Sequence, residues 1–119
     1  MNQYPNSKKY DLEQRTAEFA KRARNYVKKL PKSLSNFEYA KQLIRSSGSV
    51  AANYIEANEC LGKKDFGMRI KICRKEAKES RLWLELAECD MAYAEEKIKL
   101  INETGELIKI FSAIWKNHN

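Results

Sequence analysis

The chain has 119 residues and a mass of 13.9 kDa, a length suited to one domain, with 43% hydrophobic and 33% charged residues. Four glycines and two prolines are too few for a turn-rich sheet, and the apolar content excludes a disordered tail, so an all-α domain is expected. The formal charge of +7 is local: residues 1–32 carry nine Lys/Arg against three acids, whereas the remaining 87 carry 14 against 13.

The first helix is expected over about 11–30, with Asp11 as N-cap and Pro31 as its stop. At about 100° per residue, Leu12, Thr16, Phe19, Ala20, Ala23, Tyr26, Val27 and Leu30 share one apolar arc. Ser33 to Asn36 form a polar turn that offers Ser35 or Asn36 as the cap of a second helix over about 37–58. Its arc holds Phe37, Ala40, Leu43, Ile44, Ser47, Val50, Ala51, Tyr54 and Ile55. Gly48 falls inside this helix but projects to the solvent side with Lys41 and Arg45, so a close contact gives it no ready explanation.

Gly62 terminates that helix, and Asp65 is the expected cap of a third over about 65–91. Its apolar arc is wide, from Phe66, Met68 and Ile70 through Trp83, Leu84 and Leu86 to Ala87 and Met91, as a helix touching more than one neighbour requires. The fourth, over about 97–116, keeps helical periodicity through Ile98, Ile101, Thr104, Leu107, Ile108, Phe111, Ile114 and Trp115, with Asn102 and Gly105 as points of interruption in its first turns. Four helices of about 20 residues with short connections predict an antiparallel up-down-up-down four-helix bundle forming a single domain over 1–119; coiled-coil arms are the competing architecture.

No apolar run approaches the roughly 20 residues that span a bilayer, and MNQYPNSKKY lacks the apolar stretch of a secretory signal. A cytoplasmic protein with no membrane partner is expected. The three cysteines, Cys60, Cys73 and Cys89, stand 13 and 16 apart, matching neither a disulfide framework nor a zinc signature, and read as reduced structural thiols.

The run SSGSVAANYIEA at 46–57 gathers small side chains within a helix. It contains no GxxxxGK[ST], and its amides are used by the helix, so a phosphate loop is disfavoured. Small side chains let helix axes approach toward about 8 Å, which points to a tight helix crossing or a subunit seam. Arg69 and Glu76 project into the apolar arc of the third helix, with Glu79 near its edge, and a buried charge there needs a partner. Glu56, Arg69, Glu76 and Ser80, facing Ser46, Ser49 and Asn53, are therefore expected to form a structural polar cluster or subunit seam, against the alternative of a solvated bundle edge. Paired glutamates also suggest a di-iron site, but no Glu-x-x-His exists and the one histidine is His118. No metal, cofactor or enzymatic activity is expected, since a Ser or Cys nucleophile would lack a histidine base as well.

QLIRSSGSVAANYIEA (42–57) and KKDFGMRIKICRKEAKESRLWLELAE (63–88), together with LPK at 30–32, resemble the bacterial four-helix-bundle family of proteins encoded in intervening sequences of 23S rRNA genes. The resemblance covers nearly the whole chain. It departs at Gly62 or Lys63, where the family usually has serine, and at Gly48, where a small polar or branched residue is common. What it implies is a cytoplasmic, non-enzymatic bundle that assembles into a ring, commonly a homopentamer. A relative, the accessory variability protein of diversity-generating retroelements, is a basic pentamer associated with nucleic acid and reverse transcriptase.

On the first helix Arg15, Lys21, Arg22, Arg24, Lys28 and Lys29 share the solvent side, and the third adds Lys71, Arg74, Lys75, Lys78 and Arg81. Repeated around a ring, these cations would bind RNA or DNA through phosphate contacts without reading bases. The competing readings are a merely solubilising surface and a homo-oligomeric adaptor that assembles protein partners with no nucleic-acid ligand.

Overall fold

A computed structural model describes residues 4–118, with side chains from Leu12 to His118. Four helices follow in order: α1 (Tyr4–Val27), α2 (Leu34–Glu59), α3 (Lys63–Leu86) and α4 (Ala94–His118), with a 3₁₀ turn at Met91–Tyr93 leading into the last. At about 1.5 Å per residue, helices of 24 to 26 residues account for the long axis of a molecule measuring 44 × 31 × 19 Å. The short connections force successive helices antiparallel. α1 packs on α2 and sparsely on α4, while α3 packs broadly on both α2 and α4, so α1 and α3 stand on a diagonal of the bundle.

The core is one cluster built from every helix. Leu12, Phe19, Ala23 and Tyr26 of α1 meet Leu43, Val50 and Tyr54 of α2, Ile70, Cys73, Ala77 and Leu84 of α3, and Leu100, Leu107 and Phe111 of α4. These positions follow the three-to-four spacing that directs one stripe of each helix inward. Burying each large side chain stabilises the fold by about 1.5–3 kcal/mol. Thr16 and Thr104 are fully buried without disrupting this, because each hydroxyl donates to a carbonyl of its own helix, Glu13 and Ile101 respectively.

Several helix ends differ from the sequence expectation. α1 begins at Tyr4, so Asp11 lies within the helix rather than at its cap; the Asp11 side chain is outside the described residues. It ends at Val27 rather than Leu30, because the residue before Pro31 is pushed out of helical geometry and 28–30 close as tight turns. Ser33 caps α2, its hydroxyl accepting the Asn36 amide at 3.1 Å, instead of Ser35 or Asn36. α3 starts after Gly62, with no side-chain cap and with Asp65 in its first turn, where the acid favours the helix dipole. It stops at Leu86, short of Met91, and α4 then runs from Ala94 without interruption at Asn102 or Gly105.

Asn36 explains both ends that meet at this pole of the bundle. Its buried side-chain amide donates to the carbonyls of Pro31 (3.0 Å) and Glu88 (2.8 Å), and its oxygen accepts the Glu88 N–H at 2.9 Å. One side chain thus ties the α1–α2 turn to the segment after α3. The segment's backbone groups bond to Asn36 instead of continuing the helix.

The expected arcs are wider than the core. Phe37 is 64% exposed, and Ile44 and Ile55 on the same flank of α2 are also exposed. On α3 the same holds for Met68 and Leu86, on α4 for Ile98, while Met91 beyond α3 is 89% exposed.

Candidate functional site

The small-residue run lies on α2 where it crosses α3. Ser46 and Ser80 are both fully buried and share a hydrogen bond of 2.8 Å, so two hydroxyls satisfy each other where larger side chains would push the helices apart. One turn on, the Cys73 thiol donates to the Val50 carbonyl at 3.6 Å. Burial raises this thiol's pKa from 9.0 to about 12, which suits a structural rather than a reactive cysteine. Asn53 holds the next level: its amide donates to the Ser49 carbonyl and hydroxyl at 2.9 and 3.0 Å, and its oxygen accepts Arg69 Nη1 at 2.8 Å.

Glu76 is buried, and its partner is Arg45 of α2 rather than Glu56 or Arg69. Arg45 Nη2 lies 3.2 Å from Glu76 Oε1 and 3.1 Å from Glu79 Oε1, with Lys75 at 3.9 and 3.7 Å from the same two carboxylates. Hydrogen bonding to Glu76 raises the pKa of Arg45 above its ordinary value. Glu56 is exposed and touches none of this group. The structure therefore joins Ser46 to Ser80, and Ser49 and Asn53 to Arg69, while Glu76 belongs to a separate cluster. Arg45 projects outward on a helical wheel, but its long side chain bends back over the seam, which the wheel does not express.

The eleven cations singled out from the sequence fall into unlike groups. Arg15 grips Glu103 of α4 through two hydrogen bonds of 2.7 and 2.8 Å, which raise its pKa, and Arg22 lies 3.6 Å from Glu96. Arginines and glutamates each stand seven apart on antiparallel helices, a signal already present in the sequence. Lys71 and Arg74 sit over Trp115, at 5.3 and 5.7 Å from the ring centre, and Lys29 lies 5.1 Å from Tyr93. Lys21 and Arg24 are exposed on α1, with exposed Lys28 in the turn just past it, and Lys78 and Arg81 lie on α3, none of the five in an ion pair with a described residue. Because α1 and α3 are diagonal, the two sets face different directions in a single subunit.

The glycine that a close approach requires is Gly67, not Gly48. A Cβ on Gly67 would stand 2.8 Å from Nε2 of His118, whose ring also packs 5.2 Å from Phe66, whereas one on Gly48 would meet nothing within 4 Å. The lone histidine thus fastens the end of α4 to the start of α3. Among the described residues, no group of three His, Cys, Asp or Glu side chains could hold a metal, and no helix is long and apolar enough to cross a membrane.

Helix order, antiparallel packing and a core drawn from all four elements define an all-α four-helix bundle. The family model of 23S rRNA-intervening sequence proteins matches residues 8–113, and the chain belongs to that family. A crystal structure of a protein of unknown function from the S23 ribosomal protein family of Bacteroides thetaiotaomicron is 31% identical; the match covers 92% of this chain and 98% of that one, with a TM-score of 0.77. No curated protein matches the chain.

Proposed function

We propose that this protein is a non-enzymatic cytoplasmic scaffold that self-associates, as a ring and in particular a homopentamer, and holds RNA or DNA by its phosphate backbone. The observation that carries the nucleic-acid reading is the pair Lys21 and Arg24 on α1, continued by Lys28 in the turn just beyond it, all exposed and without a described carboxylate partner. Such a row follows a polyanion and repels itself in the absence of one. Lys78 and Arg81 of α3 add a second, weaker surface on each subunit. Ring symmetry would multiply both, so that modest contacts per subunit sum to useful avidity.

Support for self-association comes from the apolar side chains left outside the core, Leu34, Phe37, Ile44, Leu82, Leu86 and Met91 among them. Recognition would be indifferent to base sequence, since the free groups are cations rather than paired donors and acceptors.

A salt titration with fluorescent single-stranded and duplex RNA and DNA tests the nucleic-acid reading. Affinity should fall linearly in log–log form with salt, and Lys21→Glu with Arg24→Glu should weaken binding at least tenfold and flatten the slope. Absence of binding at low salt would leave the protein-assembly adaptor as the function. Light scattering should return a mass well above the 13.9 kDa of one chain.

A further inference from the structure

Two exposed surfaces at one pole of the bundle are both apolar and carry opposite charge. The first is a groove of about 760 Å³ between the end of α1 and the start of α2. Its walls are Val27, Leu30, Leu34, Phe37 and Ile44, of which Leu34 is 83% exposed, and its rim carries Lys28, Lys32 and Lys41. Only Lys41 has an acidic neighbour among the described residues, Glu38 at 3.5 Å. The second surface is a ridge at the end of α3 and just beyond it, where exposed Leu82, Leu86 and Met91 stand among exposed Glu85, Glu88 and Asp90. None of these three acids is in an ion pair with a described residue.

We propose that the ridge of one copy seats in the groove of the next, Leu82, Leu86 and Met91 covering the apolar walls and Glu85, Glu88 and Asp90 meeting the lysine rim. The inference rests on the self-association reading above and identifies its seam. An apolar groove with a cationic rim selects an apolar occupant with acidic flanks, and this chain itself carries one. The two surfaces are different, so the contact is head-to-tail, and it closes into a ring where the rotation permits. They lie at the same pole, where α1 and α3 end and α2 and α4 begin, so a rotation about an axis along the bundle brings them to the same height. Lys28, just past α1, then faces the seam, leaving Lys21 and Arg24 as the cations without an ion pair among the described residues of α1.

The arrangement predicts a behaviour that a symmetric contact cannot give. Phe37→Glu with Ile44→Glu disables the groove only, and Leu86→Lys with Met91→Lys the ridge only; all four positions are exposed, and circular dichroism should show unchanged helicity. By light scattering each variant alone should have the mass of one subunit. Mixed in equal amounts, well above the concentration at which the unmodified protein assembles, they should form dimers, because one intact groove meets one intact ridge. Variants that keep the parental mass, or a mixture that stays monomeric, would overturn this seam while leaving self-association intact. A monomeric unmodified protein would overturn both. As a second test, Lys32→Glu with Lys41→Glu should dissociate the assembly, and adding Glu85→Lys with Asp90→Lys to the same chain should restore it; failure to restore it overturns the charge pairing.

Discussion

The seam between α2 and α3 and the seam between α1 and α4 are held by different physics. Along the first, buried groups of short reach meet directly, as Ser46 meets Ser80 and Cys73 meets Val50, with Asn53–Arg69 and Arg45–Glu76 toward the surface. Along the second, the described residues of α1 touch α4 sparsely and the join carries two long-armed ion pairs, Arg15–Glu103 and Arg22–Glu96. A cleft of about 820 Å³ opens beside it, lined by Leu12, Arg15, Tyr54, Phe66, Ile110 and Ile114. Close packing forfeits dispersion energy as soon as helices separate by an ångström, whereas an ion pair at the surface tolerates the shift and responds to salt. The α2–α3 pair should therefore behave as the rigid half of the molecule, with α1 its most readily detached element.

The largest effect should come from wedging the tight seam open. Ser80→Leu places a branched side chain against Ser46 at a fully buried site, and overpacking of this kind costs about 1–3 kcal/mol, to which loss of the shared hydrogen bond adds about 1 kcal/mol. Urea unfolding should show a lower midpoint, with Ser80→Ala much closer to the parent. A midpoint for Ser80→Leu equal to that of the parent would mean that the helices have room the packing denies.

Alkaline pH attacks the same seam through Cys73. Burial raises its folded pKa from 9.0 to about 12, so the stability linked to the protonated thiol is complete below about pH 9 and is lost as pH climbs toward 12. Burial also raises the pKa of Tyr26 and Tyr54, which adds to the loss above about pH 10. Cys73→Ala should flatten the pH dependence of the unfolding midpoint between about pH 8.5 and 9.5, below the range in which the tyrosines contribute most. An unchanged profile would remove the thiol from the account.

Much of this contrast was legible in the sequence, and the illegible part has a physical cause. Periodicity located four helices and placed Phe19, Leu43, Ile70 and Leu107 inside, because one helix face must meet a core whatever the neighbour. Ser46 stood out as a small polar residue beside the apolar arc of α2, and Ser80 as one on the arc of α3. Arg45 did not, since a helical wheel records where Cβ points and not where a long side chain ends. Asn36 was read as a local cap, but its partner is Glu88, 52 positions away, and no window of sequence contains both. Phe37 and Ile44 were assigned to the core because periodicity cannot tell one neighbouring helix from two. Met91 was placed in α3 because its spacing fits that helix, whereas Asn36 takes the backbone groups of Glu88.

On the looser seam the expected effects are smaller. Arg15→Ala removes a partly exposed pair with Glu103 and should cost about 1 kcal/mol at low salt, fading as ionic strength rises. Hydrogen exchange gives the sharper readout: α1 amides should exchange faster than those of α2 and α3 in the parent, and faster still in the variant. Uniform acceleration across all four helices would show that α1 does not open separately.

The smallest change, Gly48→Ala, separates the packing of a subunit from the packing between subunits. An added Cβ meets nothing within 4 Å, so inside one subunit the methyl is accommodated and the helix gains about 0.5–1 kcal/mol from a better residue. Gly67→Ala is the natural control, because there the methyl must displace His118 at 2.8 Å and the gain in helix propensity is offset. Gly48 and Ile55 share the outward flank of α2 with Phe37 and Ile44, below the groove, where a neighbouring copy would next make contact. If Gly48→Ala raises the unfolding midpoint of a monomeric ridge variant yet lowers the assembled mass of the parent, the missing Cβ serves the neighbour. If it raises the midpoint in both and leaves the mass alone, the subunit seam does not extend down α2, and only the groove above it makes the contact.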